Sequence, residues 1–313
     1  MLASTTAATP WGVEARPVQV EVDAHHGLPQ VPIVGLADAA VRESRERVRS
    51  AIRNCGFHLE PRAVVINLAP ADLRKEGNHL DLAIALALLA SEGHLPQSAL
   101  LDRLFCGELG LDGTIRSVRG GLAIADLAAR LGVREVLLPA ANAGEASALE
   151  AVRVVAVRSL TEAVAHLVGA APLPAAAPLP FGAGAPRCQA PDLAEVRGQE
   201  VAKRALEVAA AGGHNLLFLG PPGSGKTLLA RCLPGLLPPL TQIEAIAVTK
   251  IHSLAAEQPP AGLLRQRPFR SPHTGTSTAG MIGGGSPPRP GEASLAHLAE
   301  AIQYRALDRR FLG

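Results

Sequence analysis

The chain is 313 residues long with a formal net charge of +2, and 48% of it is hydrophobic while only 3% is aromatic. That length accommodates two domains with cores built from Ala, Leu and Val rather than from rings. A near-neutral balance excludes a global field drawing the chain to nucleic acid or membrane, so any such contact must come from a local patch.

In chain order, residues 17–24 (PVQVEVDA) alternate apolar and polar side chains, as a half-buried strand does. The GLPQVPIVGL stretch then offers a turn and a second strand. His25 and His26 have no third ligand at suitable spacing and read as a surface pair rather than a metal site. Asp38 is placed to cap a helix whose apolar stripe is Val41, Val48 and Ile52. Arg42, Arg45, Arg47, Arg49 and Arg53 on that helix raise a nucleic-acid reading, but the interleaved Glu43 and Glu46 favour a solvated face of intrahelical pairs. RAVVINLAP reads as a buried strand, and residues 80–90 are apolar on nearly every side, the mark of a helix sunk in a core. Strands are predicted at 105–109, 114–118, 135–138 and 152–157, with helices at 121–131 and 160–168 between them. The pattern is α/β, with an α+β first domain over residues 1–168.

Residues 169–190 are rich in proline and alanine, lose backbone donors and read as a linker. A second module follows. Val201, Ala205, Leu206, Val208 and Ala209 have helical spacing that stops at Gly212 and Gly213, leading to an apolar run at 216–219 that predicts a strand. The run breaks into Gly220, Pro221, Pro222, Gly223, Ser224, Gly225, Lys226 and Thr227, the G-x-x-x-x-G-K-[ST] phosphate loop, with Leu228 opening a helix. The glycines let successive backbone N–H groups face phosphate oxygens, and the helix start adds free N–H groups and a positive dipole end. Lys226 is assigned to bridge the β- and γ-phosphates and the Thr227 hydroxyl to ligate Mg²⁺, so ATP with Mg²⁺ is the implied ligand.

Cys55, Cys106, Cys188 and Cys232 form no C-x-x-C and read as reduced thiols of a cytoplasmic protein. No apolar run is long enough for a membrane span, and no secretory signal is expected from the first residues.

Taken together, VEVDAHHGLPQVPIVGLADAAVRESRERVRSAI, INLAPADLRKEGNHLDLAIALALLA, GELGLDGTIRSVRG, the 192–227 stretch, RPFRSPH and GGGSPPRPGEASLAH resemble the Mg-chelatase-like AAA+ ATPases of the YifB/ComM type. The resemblance implies a first domain of the ribosomal-protein-S5 and Lon-protease type. It implies an AAA+ nucleotide-binding core over 191–297, with Val196 and Gln199 against the adenine. It further implies a homo-hexameric motor acting on DNA, in branch migration during natural transformation.

Two departures shape the expectation. Where a Lon peptidase carries a Ser–Lys dyad, this chain has His79 and Ala123, so peptidase chemistry is not expected. After His297 the family continues into a Walker-B Asp–Glu pair, sensor, arginine finger and lid. Here residues 298–313 resemble only the final lid helix, as if the chain were internally deleted, and no catalytic residue is assigned. Glu292, Glu300 and Asp308 are the acidic residues near the end, none in an Asp–Glu pair. ATP binding without hydrolysis is therefore expected. Arg265, Arg267 and Arg270, with His273 and Arg289 nearby, suit either a DNA-phosphate contact or an exposed basic loop. The rival functions are a magnesium-chelatase ATPase subunit and a non-catalytic remnant whose first domain binds a partner.

Overall fold

The structure, a computed structural model, describes residues 2–28, 31–178, 190–255, 262–273, 275–284 and 288–291. The chain divides into two units, one of Met1–Leu179 with His252–Leu263 and the other of Pro180–Ile251 with Leu264–Gly313.

In the first unit, β1 (Leu2–Trp11) and β2 (Glu14–His25) form a long antiparallel hairpin turning at Gly12, whose φ of +66° suits a residue without a Cβ. The alternation that predicts a strand from residue 17 gives only part of this hairpin. β1 buries Ala3, Thr5, Ala7, Ala8 and Thr9, side chains too small and too mixed in polarity to announce a strand. Beyond β2 lie the two-residue edge strand β3 (Ile33–Val34) and β4 (Ala63–Ala69), with β4 antiparallel to β2 and β3 parallel to β4. On the far side β5 (Arg103–Phe105) runs parallel to β1, while β6 (Glu108–Leu109) and β7 (Ile115–Arg116) make a separate ribbon. β8 (Glu135–Pro139) and β9 (Arg153–Val157) complete a seven-stranded sheet in the order β3-β4-β2-β1-β5-β8-β9, antiparallel across β4-β2-β1 and parallel at its other pairings.

The strand expected at 105–109 is cut in two. Gly107 turns its N–H to the His79 carbonyl at 2.9 Å, and a Cβ there would lie 2.8 Å from the Ile115 side chain, so the chain bends away from the sheet. The strand expected at 114–118 shortens to β7, which ladders with the two residues of β6, while Thr114 makes an isolated bridge to Ser159 and the Ile115 N–H donates to the Arg158 carbonyl at 2.8 Å.

The helices are α1 (Ala39–Asn54), α2 (Asp81–Ser91), α3 (Gly121–Leu131), the single turn α4 (Ala143–Ala146) and α5 (Leu160–Leu167). Asp38 caps α1 as the sequence suggests, accepting from the Val41 N–H at 2.8 Å, and its other oxygen takes the Gly77 N–H at 3.3 Å. Every residue of α2 is buried, including Asp81. Within the chain expected as a linker from residue 169, residues 173–176 lie along β9. Ala176 N–H donates to the Val154 carbonyl at 2.8 Å, Arg153 donates to the Leu173 carbonyl at 2.9 Å, and Leu173 N–H donates to His166 Nδ1 at 2.9 Å. Proline removes donors only at its own positions, and the residues between still bond. Residues 179–189, with Cys188, lie outside the described residues.

The second unit contains α6 (Glu200–Gly212), α7 (Lys226–Leu236), α8 (Gln242–Ala255) as far as Ile251, the short α9 (Thr278–Ile282) and a small hairpin of β10 (Gly283–Gly284) with β11 (Arg289–Pro290). Among its described residues the core is small: Val196, Leu206, Leu229 and Cys232 form one buried cluster with Phe218 packed against it, and Ala209, Leu240, Ala245 and Val248 are buried besides. The strand expected at 216–219 is not formed. An extended apolar run becomes a strand only where a neighbour supplies a ladder, and among the described residues none pairs with it. Leu217 and Leu219 stay 60% and 73% exposed. No helix among the described residues is long and apolar enough to cross a membrane.

Candidate functional site

The glycine-rich loop runs directly into α7. Gly223 and Gly225 hold φ of +82° and +84°, and nothing lies within 4 Å of where a Cβ would project from either. Only glycine adopts that curl cheaply, and the openness leaves room for a ligand's oxygens. The N–H groups of Gly223 and Gly225 have no hydrogen-bond partner among the described residues. α7 adds its positive end there, and at eleven residues its dipole is well developed. Lys226 Nζ donates to the carbonyls of Gly220 and Pro221 at 2.7 and 3.0 Å, which holds the ammonium over the loop. Thr227 follows on the first turn of α7, and Leu228 is partly exposed beside it.

Gln199, 25 residues before Ser224, meets the loop in space, and Val196 lies in the core beneath α7. Val196 is buried in the small core that also holds Leu229 of α7. Gln199 has φ of +61°, and its side-chain amide donates to the Ser224 carbonyl at 3.3 Å. Asp192 and Glu195 form a reciprocal capping box in the turn just before, which fixes the approach of this segment to α6. The structure thus brings Gln199 to residues 220–228 and packs Val196 with Leu229 of the helix that the loop starts.

The basic stretch is differently disposed. Arg267 is 12% exposed, pairs with Glu244 of α8 at 3.2 Å, and donates to the Pro238 carbonyl at 2.8 Å. The Glu244 carboxyl is held below its usual range, first by the Thr241 N–H and hydroxyl and then by Arg267. Sequence reading missed this pair, because a separation of 23 residues across a Pro-rich segment carries no periodic signal. Arg265 and Arg270 are half-buried, and His273 is exposed with its Nδ1 accepting from the Gly275 N–H. Thr274, the Arg289 side chain, and everything from residue 292 onward, including the junction at His297, Glu292, Glu300, Asp308 and the lid-like 298–313, lie outside the described residues.

In the first unit, His79 is buried and its Nε2 has no hydrogen-bond partner; burial drives its pKa down to about 4, so the ring is neutral at physiological pH. Ala123 is fully buried in α3. Arg47, grouped by sequence with the solvated arginines, turns inward instead and grips Asp81 through two bonds of 2.7 and 3.1 Å. Burial pushes the Asp81 carboxyl up to about 6, against the pull of Arg47 and the Leu109 N–H. His25 lies 3.8 Å from Asp23, both half-exposed.

An α/β protein with a glycine-rich loop seated on a helix start, backed by a short capped segment, defines the class. Sequence comparison gives the family. The family model described as "Magnesium chelatase, subunit ChlI" matches residues 192–300, and that described as "Subunit ChlI of Mg-chelatase" matches residues 20–142. The chain is 45% identical over 286 residues to "Uncharacterized protein YifB" of Salmonella typhimurium, covering 91% of this chain and 56% of that protein. Against "Uncharacterized protein YifB" of Escherichia coli it is 44% identical over 286 residues, with the same shares covered. Against "Competence protein ComM" of Haemophilus influenzae it is 42% identical over 287 residues, again 91% of this chain and 56% of the relative. The chain belongs to the Mg-chelatase-like family of the YifB/ComM type. It spans about half the length of the curated relatives it matches.

Proposed function

We propose that this chain is an ATP-binding protein of the AAA+ class, built to act on DNA as part of a hexameric ring in the cytoplasm, and that the chain as it stands does not hydrolyse ATP. The first unit is then of the S5/Lon type without its peptidase dyad. The observation that carries the reading is the loop itself: Gly223 and Gly225 leave two unclaimed N–H groups at the start of α7, with Lys226 alongside and Gln199 bonded to the loop from behind. That donor set fits a polyphosphate.

Residues 220–228 would hold the phosphates, Val196 and Gln199 the base, and the Thr227 hydroxyl Mg²⁺. When bound, the metal supplies positive charge that neutralises the phosphate oxygens. The chain's own residues then bind and orient. They offer no acidic pair after Thr227 to position an attacking water. Action on DNA is supported by likeness to a relative named as a competence protein. Arg265 and Arg270 are the proposed phosphate contacts of the second unit, with Arg267 held beside them by Glu244.

Titration of a fluorescent ATP analogue with Mg²⁺ tests this. Binding should weaken at least tenfold, roughly 1.4 kcal/mol, in Lys226→Ala, while phosphate release by the unaltered chain stays at the blank. Binding indifferent to Lys226→Ala would refute nucleotide binding at this loop, and sustained phosphate release would refute the hydrolysis-defective part alone.

A further inference from the structure

α1 carries four arginines, Arg42, Arg45, Arg49 and Arg53, whose separations of three, four and four residues return them to one side of a helix turning about 100° per residue. They form a stripe about 16 Å long at 1.5 Å per residue, with neighbouring stems about 5–6 Å apart. The glutamates that would make this face a set of internal pairs do not do so. Arg45 alone has a carboxylate partner, Glu46 at 2.9 Å, and also donates to the Val31 carbonyl at 3.4 Å. Arg42 donates only to the backbone carbonyl of Asp38, at 3.3 Å. Arg49 and Arg53 have no ion pair or hydrogen bond to any described residue, and Arg42 and Arg53 are exposed.

We propose that this stripe is a nucleic-acid contact surface of the first unit, taking the phosphodiester backbone without reading sequence. Three observations select that partner. The guanidinium is the side chain suited to phosphate, offering a planar fork of donors. The charges repeat along a line, as backbone phosphates do, rather than converging on one anion. The apolar residues of α1, Val41, Val48 and Ile52, are all buried in the core, so the helix has no apolar face left to enter a lipid interface. Glu43 and Glu46 are the opposing charges on the same helix, and they set the contact's strength rather than cancel it. The surface belongs to the first unit and needs no nucleotide, so it stands whether or not the loop at Ser224 binds ATP.

The test uses the full chain, without nucleotide, and a fluorescein-labelled oligonucleotide in single-stranded and duplex forms. Replacing Arg42, Arg49 and Arg53 together by Gln should lower affinity roughly tenfold or more at low salt and reduce the slope of log K against log salt by about two to three. Replacing Glu43 and Glu46 by Gln should strengthen binding, a gain that misfolding cannot produce. Arg265→Gln with Arg270→Gln should leave the α1-dependent part of the slope in place. An unchanged affinity and slope in the folded triple variant would overturn the proposal, as would capture by phosphatidylserine vesicles with no binding to either oligonucleotide.

Discussion

His79 is where a single residue sets a measurable property of the first unit. Its folded pKa of about 4 lies below the ordinary histidine value of 6.5, with burial as the main cause and Asp38 pulling the other way. As pH falls, the unfolded chain takes up this proton before the folded chain does, so His79 costs stability progressively from pH 6.5 down to 4, by about 3 kcal/mol in all. Asp81 runs against it: its carboxyl, raised to about 6, is protonated in the folded chain first. The parent curve therefore mixes both, and the difference between variants separates them. His79→Gln should gain about 3 kcal/mol relative to the parent between pH 7 and pH 4, whatever its offset at pH 7. Urea unfolding followed across that range gives the value, and a difference that stays flat would show that the ring is not buried neutral. At the same scale, Lys75 is fully buried with its ammonium donating to the carbonyls of Leu68, at 2.8 Å, and Pro70, and burial lowers its pKa. No sequence pattern distinguishes such a lysine from a surface one.

Among elements, what a pattern announces and what the fold builds part company where partners are needed. α1 follows from its cap and spacing, and α2 from a run that is apolar on nearly every side, because a helix satisfies its own backbone. The curl of the glycine-rich loop onto the start of α7 was likewise legible in its eight residues, and Val196 and Gln199 came from the resemblance rather than from any periodicity. β1 was not legible, since Ala and Thr give little contrast, and the edge addition after residue 169 was hidden among prolines. Residues 216–219 are the opposite case. Their apolar run announces a strand, yet a strand is a property of two segments and the second is not there among the described residues. Leu217 and Leu219, exposed at 60% and 73%, then form an uncharged extended segment open to pairing with other chains. Leu217→Lys with Leu219→Lys should change the stability of the chain by only about 0.5 kcal/mol each while reducing self-association. Light scattering against concentration measures the latter, and a large loss of stability instead would mean that both side chains are buried in solution.

At the scale of the whole chain, the two units differ in how much apolar surface each removes from water. The first gathers a continuous core from its sheet, α2 and α3, including Phe105, Ile66, Leu68 and Leu86 at full burial. Among its described residues the second buries the cluster of Val196, Leu206, Leu229 and Cys232 and, besides it, Ala209, Leu240, Ala245 and Val248, with Val201, Val208 and Ile243 exposed on its helices. Burial stabilises at about 25 cal/mol per Å² against a backbone ordering cost of about 1–2 kcal/mol per residue, so a unit with few buried side chains opens locally far more often. Limited proteolysis should therefore remove the second unit while leaving a fragment that ends near residue 178. The docked segment after residue 169 places that end, since its bonds to Val154, Arg153 and His166 protect it with the sheet. A fragment ending instead near residue 168 would show that this edge detaches. Equal resistance of both units would show that the second is more firmly packed than its small core allows. An ATP analogue with Mg²⁺ that slows only the cleavage of the second unit would tie that added resistance to the loop at Ser224, because a ligand stabilises the folded form it binds by RT ln(1 + [L]/Kd).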